Sequence, residues 1–133
     1  MRLNRVVARY RSGDLVKGMT TDFDRAALRF HVEPTCNAYT QTVVDVRMLK
    51  AVFFVRELAG DRYYDEDNEF DEMGRPVGTI RVTVRFRDGE ILRGYTHERE
   101  RRGEGFFMIP SDPFSNNRRI FVVYGAVENL YFQ

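Results

Sequence analysis

The sequence predicts an all-β chain made of two tandem five-stranded small barrels, arising from an internal duplication and joined by an acidic linker. Three observations lead there. Residues 6–34 recur as residues 82–110 without a gap, and nine of the 29 positions are identical, enough to fix one structural unit used twice. Most other positions exchange like for like, as in Tyr10/Phe86, Asp14/Glu90, Leu15/Ile91 and Lys17/Arg93. Within each copy, apolar and polar residues alternate with period two, the mark of a half-buried strand. Each copy has about 50 residues, a size that is marginal alone, so the two should pack against each other.

The first copy opens with Val6, Ala8 and Tyr10 on one face of a strand and Val7, Arg9 and Arg11 on the other. Ser12-Gly13-Asp14 reads as a hairpin turn in which glycine supplies a positive φ. The second strand begins at Leu15 and carries Gly18 inside it, the sign of a sharp bend or bulge at a barrel corner. The third strand covers residues 28–33 and Pro34 ends it. A loop follows, then a fourth strand over residues 42–47, one helical turn at Met48-Leu49-Lys50, and a fifth strand from Ala51 to Val55. A bent second strand and a single turn before the last strand describe an SH3-like or Sm-like barrel, whose closure removes sheet edges.

The second copy repeats the pattern with a strand over residues 79–87, a turn at Arg87-Asp88-Gly89 and a strand over 90–96 containing Gly94. Strands over 105–109 and 118–124 follow. Its fifth strand falls on Leu130-Tyr131-Phe132, aligned with Val52-Phe53-Phe54. This is notable because residues 128–133, ENLYFQ, resemble the remnant of a tobacco etch virus protease site left by expression. The natural segment then runs from Met1 to about Val127, and the remnant is expected to be ordered as the last strand. The domain reading is 1–56 for the first barrel, 57–78 for the linker and 79–133 for the second barrel. The linker is acidic yet holds Tyr63, Tyr64 and Phe70, more aromatic than a disordered tether. A short helix over residues 65–73 is predicted there, ended by Arg75-Pro76.

Composition narrows the function classes. The formal net charge is +1, too balanced to point to nucleic acid by electrostatics alone. No apolar run reaches the roughly 18–20 residues of a membrane span, and MRLNRVV has no signal-peptide pattern. The one cysteine, Cys36, excludes an intramolecular disulfide framework and fits the cytoplasm. His31 and His97 occupy non-equivalent positions with no ligand at metal spacing. His31 reads as an outward surface residue. The acidic run 65–72 fails the calcium-loop pattern, with Phe70 and Pro76 where Gly and Glu are needed. No cofactor, metal site or catalytic residue is expected, and the protein is read as not an enzyme.

Two strands are apolar on both faces, from Ala51 to Val55 and from Ile120 to Tyr124. A strand buried on both sides reads this way. The outer face meets either the other barrel of the same chain or a second copy in a homo-oligomer, and both readings stay open.

The hairpin with glycine at its turn and a second glycine in strand two, followed by a Phe-containing strand, resembles the Sm-like superfamily. The whole chain resembles an uncharacterised bacterial family of tandem small-barrel domains. The residues that carry this are Arg9-Tyr10-Arg11-Ser12-Gly13-Asp14, residues 49–56 (LKAVFFVR) and residues 112–119 (DPFSNNRR). That resemblance implies a bacterial, cytoplasmic, regulatory protein and transfers no catalytic residue.

The expected function is therefore a non-enzymatic interaction or regulatory module with a protein partner. The alternative is a module for RNA or a nucleotide second messenger. That alternative would use Arg99, Arg101 and Arg102 in the loop between strands two and three of the second barrel, with Arg118 and Arg119 opening its fourth strand. Guanidinium groups supply charge and bidentate geometry for phosphate, but Glu98, Glu100 and Glu104 interleave them. The copies differ most in this loop (Phe23 to Ala27 against Arg99 to Gly103) and in the next (Thr35 to Gln41 against Ser111 to Asn117). Divided labour would place function there.

Overall fold

The computed structural model describes residues 3–34, 40–60, 64–70 and 72–133. Cys36 and Tyr63 lie outside the described residues. The chain is all-β, with ten antiparallel strands: β1 (Asn4–Tyr10), β2 (Leu15–Thr20), β3 (Arg29–Pro34), β4 (Thr42–Asp45), β5 (Leu49–Val55), β6 (Ile80–Phe86), β7 (Ile91–Thr96), β8 (Gly105–Pro110), β9 (Asn117–Val123) and β10 (Val127–Phe132). One-turn 3-10 helices at Val46–Met48 and Tyr124–Ala126 link the last two strands of each copy. The first sits two residues earlier than Met48-Leu49-Lys50, because the Asp45 carboxylate accepts from the Arg47 amide and starts the turn there.

The strands form a single sheet in the order β10-β6-β7-β8-β9-β5-β1-β2-β3-β4. Each copy keeps its five strands in equivalent order, but the copies share one open sheet, stitched where β5 pairs with β9 (Ala51↔Val122, Val52↔Phe121, Phe53↔Ile120). The two strands that read as apolar on both faces are thus each other's neighbours. All seven residues of β5 are buried.

Their alternation explains the packing. Phe53, Val55 and Ala51 point, with Ile120 and Val122, into a core formed by Val82, Val84, Phe86, Phe106 and Met108 of the second copy. Val52 and Phe54 point, with Phe121 and Val123, to the other face, into a core of Val6, Ala8, Phe30, Val32 and Val44 of the first. The shared strands serve both cores. Val7, which the alternation of β1 sends outward, is buried for the same reason: outward from the first core is inward to the second. At about 1.5–3 kcal/mol for each large apolar side chain removed from water, this shared layer stabilises neither copy without the other.

Pro34 and Pro110 do not stop their strands short. Each is the last strand residue, opposite the glycine inside strand two: Gly18↔Pro34 and Gly94↔Pro110. At Gly18 and Gly94 the facing backbones come so close that a Cβ on either would collide with the carbonyl oxygen of Glu33 or Ile109. The repeat thus preserves both glycines for space. The last strand is built from residues 127–132, which pair with β6 (Leu130↔Val84, Tyr131↔Thr83). Among its described residues the linker forms no α-helix over residues 65–73; a 3-10 turn stands at Glu72–Gly74, and the described part otherwise runs irregularly along the second copy, where Asn68 bonds the Ile91 carbonyl and the Arg93 amide. Side-chain and backbone bonds to an already formed sheet compete with a helix that this short acidic segment would favour only weakly. No helix among the described residues is long and apolar enough to cross a membrane.

Gly18→Ala and Gly94→Ala should each destabilise the protein by about 1–3 kcal/mol or more, as overpacking against backbone does, whereas Gly13→Ala, with open space around it, should cost only the strain of its positive φ. Chemical denaturation of the three variants measures this; equal losses at Gly13 and Gly18 would contradict the close-approach reading.

Candidate interaction surfaces

Two surfaces are built from the segments in which the copies differ. The first is the loop after β8. Ser111, Asp112 and Ser115 are buried, unusual for a carboxylate and two hydroxyls, and each is satisfied. Asp112 accepts from the Tyr64 hydroxyl, from the Asp67 amide at 2.9 Å and from the Phe114 amide at 2.8 Å. The Ser115 hydroxyl accepts from the Asn117 amide at 3.0 Å. Asn116 bonds both the amide and the carbonyl of Glu57, and the Arg56 amide donates to the Asn116 carbonyl. Linker, end of β5 and loop are thereby pinned together. Burial works against ionisation of Asp112, yet its hydrogen bonds from Tyr64, Asp67 and Phe114 hold the carboxyl below its ordinary value. The same bond, first among its causes, lifts the Tyr64 phenol to about 12. On this braced turn Phe114 stands 78% exposed, beside exposed Pro113.

The second surface is the loop between β7 and β8. Here the five arginines picked out above part company. Arg99 and Arg101 line a groove of about 160 Å³ with Phe106, Tyr124, Leu130 and Phe132. The Arg101 guanidinium lies 4.3 Å from the centre of the Tyr124 ring, and Arg99 reaches the Gly78 carbonyl at 3.4 Å. Arg102 is exposed. Arg118 and Arg119 are successive in β9 and so face opposite ways. Arg118 is exposed, while Arg119 is half-buried over the rings of Phe54 (4.3 Å) and Phe107 (4.6 Å). The five do not converge on one anion site.

Sequence reading missed the stronger element beside them. Arg25, in the first copy, grips Glu98, in the second, with both guanidinium nitrogens (2.8 and 2.7 Å), and also donates to the Gly105 carbonyl at 3.0 Å. Its plane lies over Phe107 and Phe121, at 5.6 and 5.8 Å. Phe23 fills the space behind, edge-on to Phe30, Phe54 and Phe121 at 5.1–5.3 Å. A second tie crosses the same seam: Lys50, its side chain only 8% exposed, bonds Asp88 and Glu90 and lies over the Phe86 ring. These ties join residues 73 and 38–40 positions apart, and no local pattern reveals them.

His31 is half-exposed, as its outward position predicted, and its Nδ1 is 2.6 Å from the Asp22 carboxylate. Among the described residues no group of three or more His, Cys, Asp or Glu side chains is placed to hold a metal ion.

Burial opposes the charge on Glu98, but the hydrogen bonds from Arg25 and the Phe107 amide, with the Arg25 charge, outweigh it and hold the carboxyl below its ordinary value of 4.5. A depressed folded pKa contributes stability that is complete above the unfolded value and lost as pH falls through the folded one. Arg25→Met should therefore lower stability at pH 7, and the gap between variant and parent should narrow as pH drops below about 4.3. Thermal denaturation across pH 3–7 reads this; a gap independent of pH would show that Arg25 acts by packing alone.

No curated protein and no solved structure matches the chain. A family profile, described as a family of unknown function, DUF6982, matches residues 2–132, which takes in both copies, the linker between them and the whole of β10. The repeated five-stranded unit, the shared seam and the braced Phe114 turn are thus features of a single matched stretch, and the chain belongs to the DUF6982 family.

Proposed function

We propose that this protein is a non-enzymatic interaction and regulatory module of the bacterial cytoplasm, built from two packed Sm-like/SH3-like barrels, and that it holds a protein partner through Phe114. One observation carries the reading: a buried carboxylate, two buried hydroxyls and a length of linker are spent on bracing a turn whose most exposed large side chain is a phenylalanine. An aromatic held rigid before contact gives up little conformational entropy on binding, which is what an interface anchor requires. The close backbone approach at Gly18 and Gly94, and the equivalent strand order in the two copies, support the barrel description. A second reading rests on Arg101. A guanidinium seated on a half-buried tyrosine beside an apolar groove suits a base or a phosphate-bearing ligand, although Glu98 and Glu100 line the same groove.

Because Phe114 is exposed, Phe114→Ala should leave stability within about 0.5 kcal/mol of the parent. It should nonetheless release the proteins that immobilised parent retains from an extract of the source cell, while the triple change of Arg99, Arg101 and Arg102 to Ala retains them. Mass spectrometry of the retained fractions decides. An identical set on parent and Phe114→Ala would sink the protein-anchor reading, and salt-dependent binding of single-stranded RNA or nucleotides that is lost only in the triple variant would put the second reading in its place.

A further inference from the structure

A groove of about 380 Å³ opens on the seam and takes its lining from the first copy, the linker and the second copy together. Its floor is apolar. Val7 of β1, Phe53 and Val55 of β5, Leu58 of the linker and Leu92 of β7 reach it, all of them part of the second core or packed against it. A space of this size, apolar with a few placed polar groups, suits a small molecule. The groove is also formed in advance. The Lys17 ammonium donates to the Leu58 carbonyl at 3.3 Å, and Asn116 bonds both backbone groups of Glu57. The linker is thus held from the first copy and from the second, and Leu58, Ala59 and Gly60 are a fixed part of the lining.

The charges around the groove divide by origin. Both cations, Arg9 and Lys17, come from the first copy. The carboxylates come from the second copy, as Glu90, and from the linker, as Glu66. These opposite charges do not meet: among the described residues no ion pair joins Arg9 or Lys17 to Glu66 or Glu90. The half-buried Arg9 guanidinium forms no hydrogen bond and no ion pair among the described residues, and neither does the exposed Glu66 carboxylate. Glu90 gives one carboxylate oxygen to Lys50, and its other oxygen has no hydrogen-bond partner among the described residues. A guanidinium that has given up part of its water without gaining an anion has the most to gain from a ligand that brings one. The same groove offers a carboxylate to a ligand cation.

We infer that this groove binds a small zwitterion with an apolar side chain, of the class of the apolar α-amino acids. The ligand carboxylate sits on Arg9 and Lys17. Its ammonium sits on Glu66 and the open oxygen of Glu90, and its side chain lies on Phe53, Val55, Leu58 and Leu92. A ligand with one charge leaves either the cations or the carboxylates unanswered, and that penalty sets the class. The bound molecule touches both copies and the linker at once. Phe114 is no part of the groove, so this site and the partner anchor are tested apart.

The decisive experiment is a methyl-resolved NMR titration of the full chain. The probes are L-phenylalanine, L-leucine and L-methionine, each beside its deaminated acid and its decarboxylated amine (3-phenylpropionate and phenethylamine for phenylalanine). At least one amino acid should shift the methyls of Val7, Val55, Leu58 and Leu92 saturably, with a Kd of about 1 mM or tighter, and loss of either charge should weaken it about tenfold or more. Arg9→Gln should weaken the amino acid and the acid but not the amine; Glu66→Gln should weaken the amino acid and the amine but not the acid. Ala59→Trp, a change at an exposed residue of the lining, should block all three. Three results overturn the proposal: no saturable shift with any of the amino acids up to about 20 mM, an acid or amine that binds as tightly as its parent amino acid, or saturable shifts confined to methyls outside the groove.

Discussion

The β5–β9 ladder is the constraint from which the rest of the structure follows. It places two strands, each apolar on both faces, side by side in the middle of one sheet. Because side chains alternate along a strand, a single ladder then feeds two cores on opposite faces. Every other tie across the seam serves this layer. Arg25 and Glu98 close one end over Phe107 and Phe121, and Lys50 closes another over Phe86. Ion pairs so placed are costly to break because each leaves a desolvated charge behind, so they fix the relative position of the copies more than they add to stability.

Within that frame the duplicated unit has been used asymmetrically. Fourth and fifth strands that are buried in the seam have exposed equivalents at the edges. Phe23 plugs the first core, where Arg99 stands in the second. The loop between the third and fourth strands is braced in the second copy by the linker and by residues at the end of β5. Function is read from these departures, since symmetry alone explains the rest.

Much of this was legible in the sequence. The repeat and its period-two alternation marked the strands of each copy and the shared face of Val6, Ala8 and Tyr10, because those signals are local. The apolar character of both faces of β5 and β9 announced a shared layer, but not that the two strands pair with each other. Pairing between residues about 70 positions apart has no local signature. The predicted linker helix failed because backbone and side-chain partners on the second copy hold the segment irregular. The arginines were found as a run, but that Arg118 and Arg119, as neighbours in a strand, face opposite ways becomes plain only once β9 is placed. Asp112 and Phe114 lay inside a stretch noted for resemblance, and their contrast of burial and exposure depends on tertiary contacts.

The shared ladder also has a consequence for biosynthesis. A ribosome delivers β5 long before β9, so the first copy emerges with Phe53, Val55 and a whole row of backbone hydrogen-bonding groups uncovered. β1 covers one edge of β5, but roughly the second half of the chain must be made before its other edge is paired. Long-range β pairing is slow, and unpaired apolar strands are where nascent chains aggregate. For this protein the vulnerable interval is built into the architecture, and the charged residues that flank β5, Arg47 and Arg56, are the chain's own guard while the interval lasts.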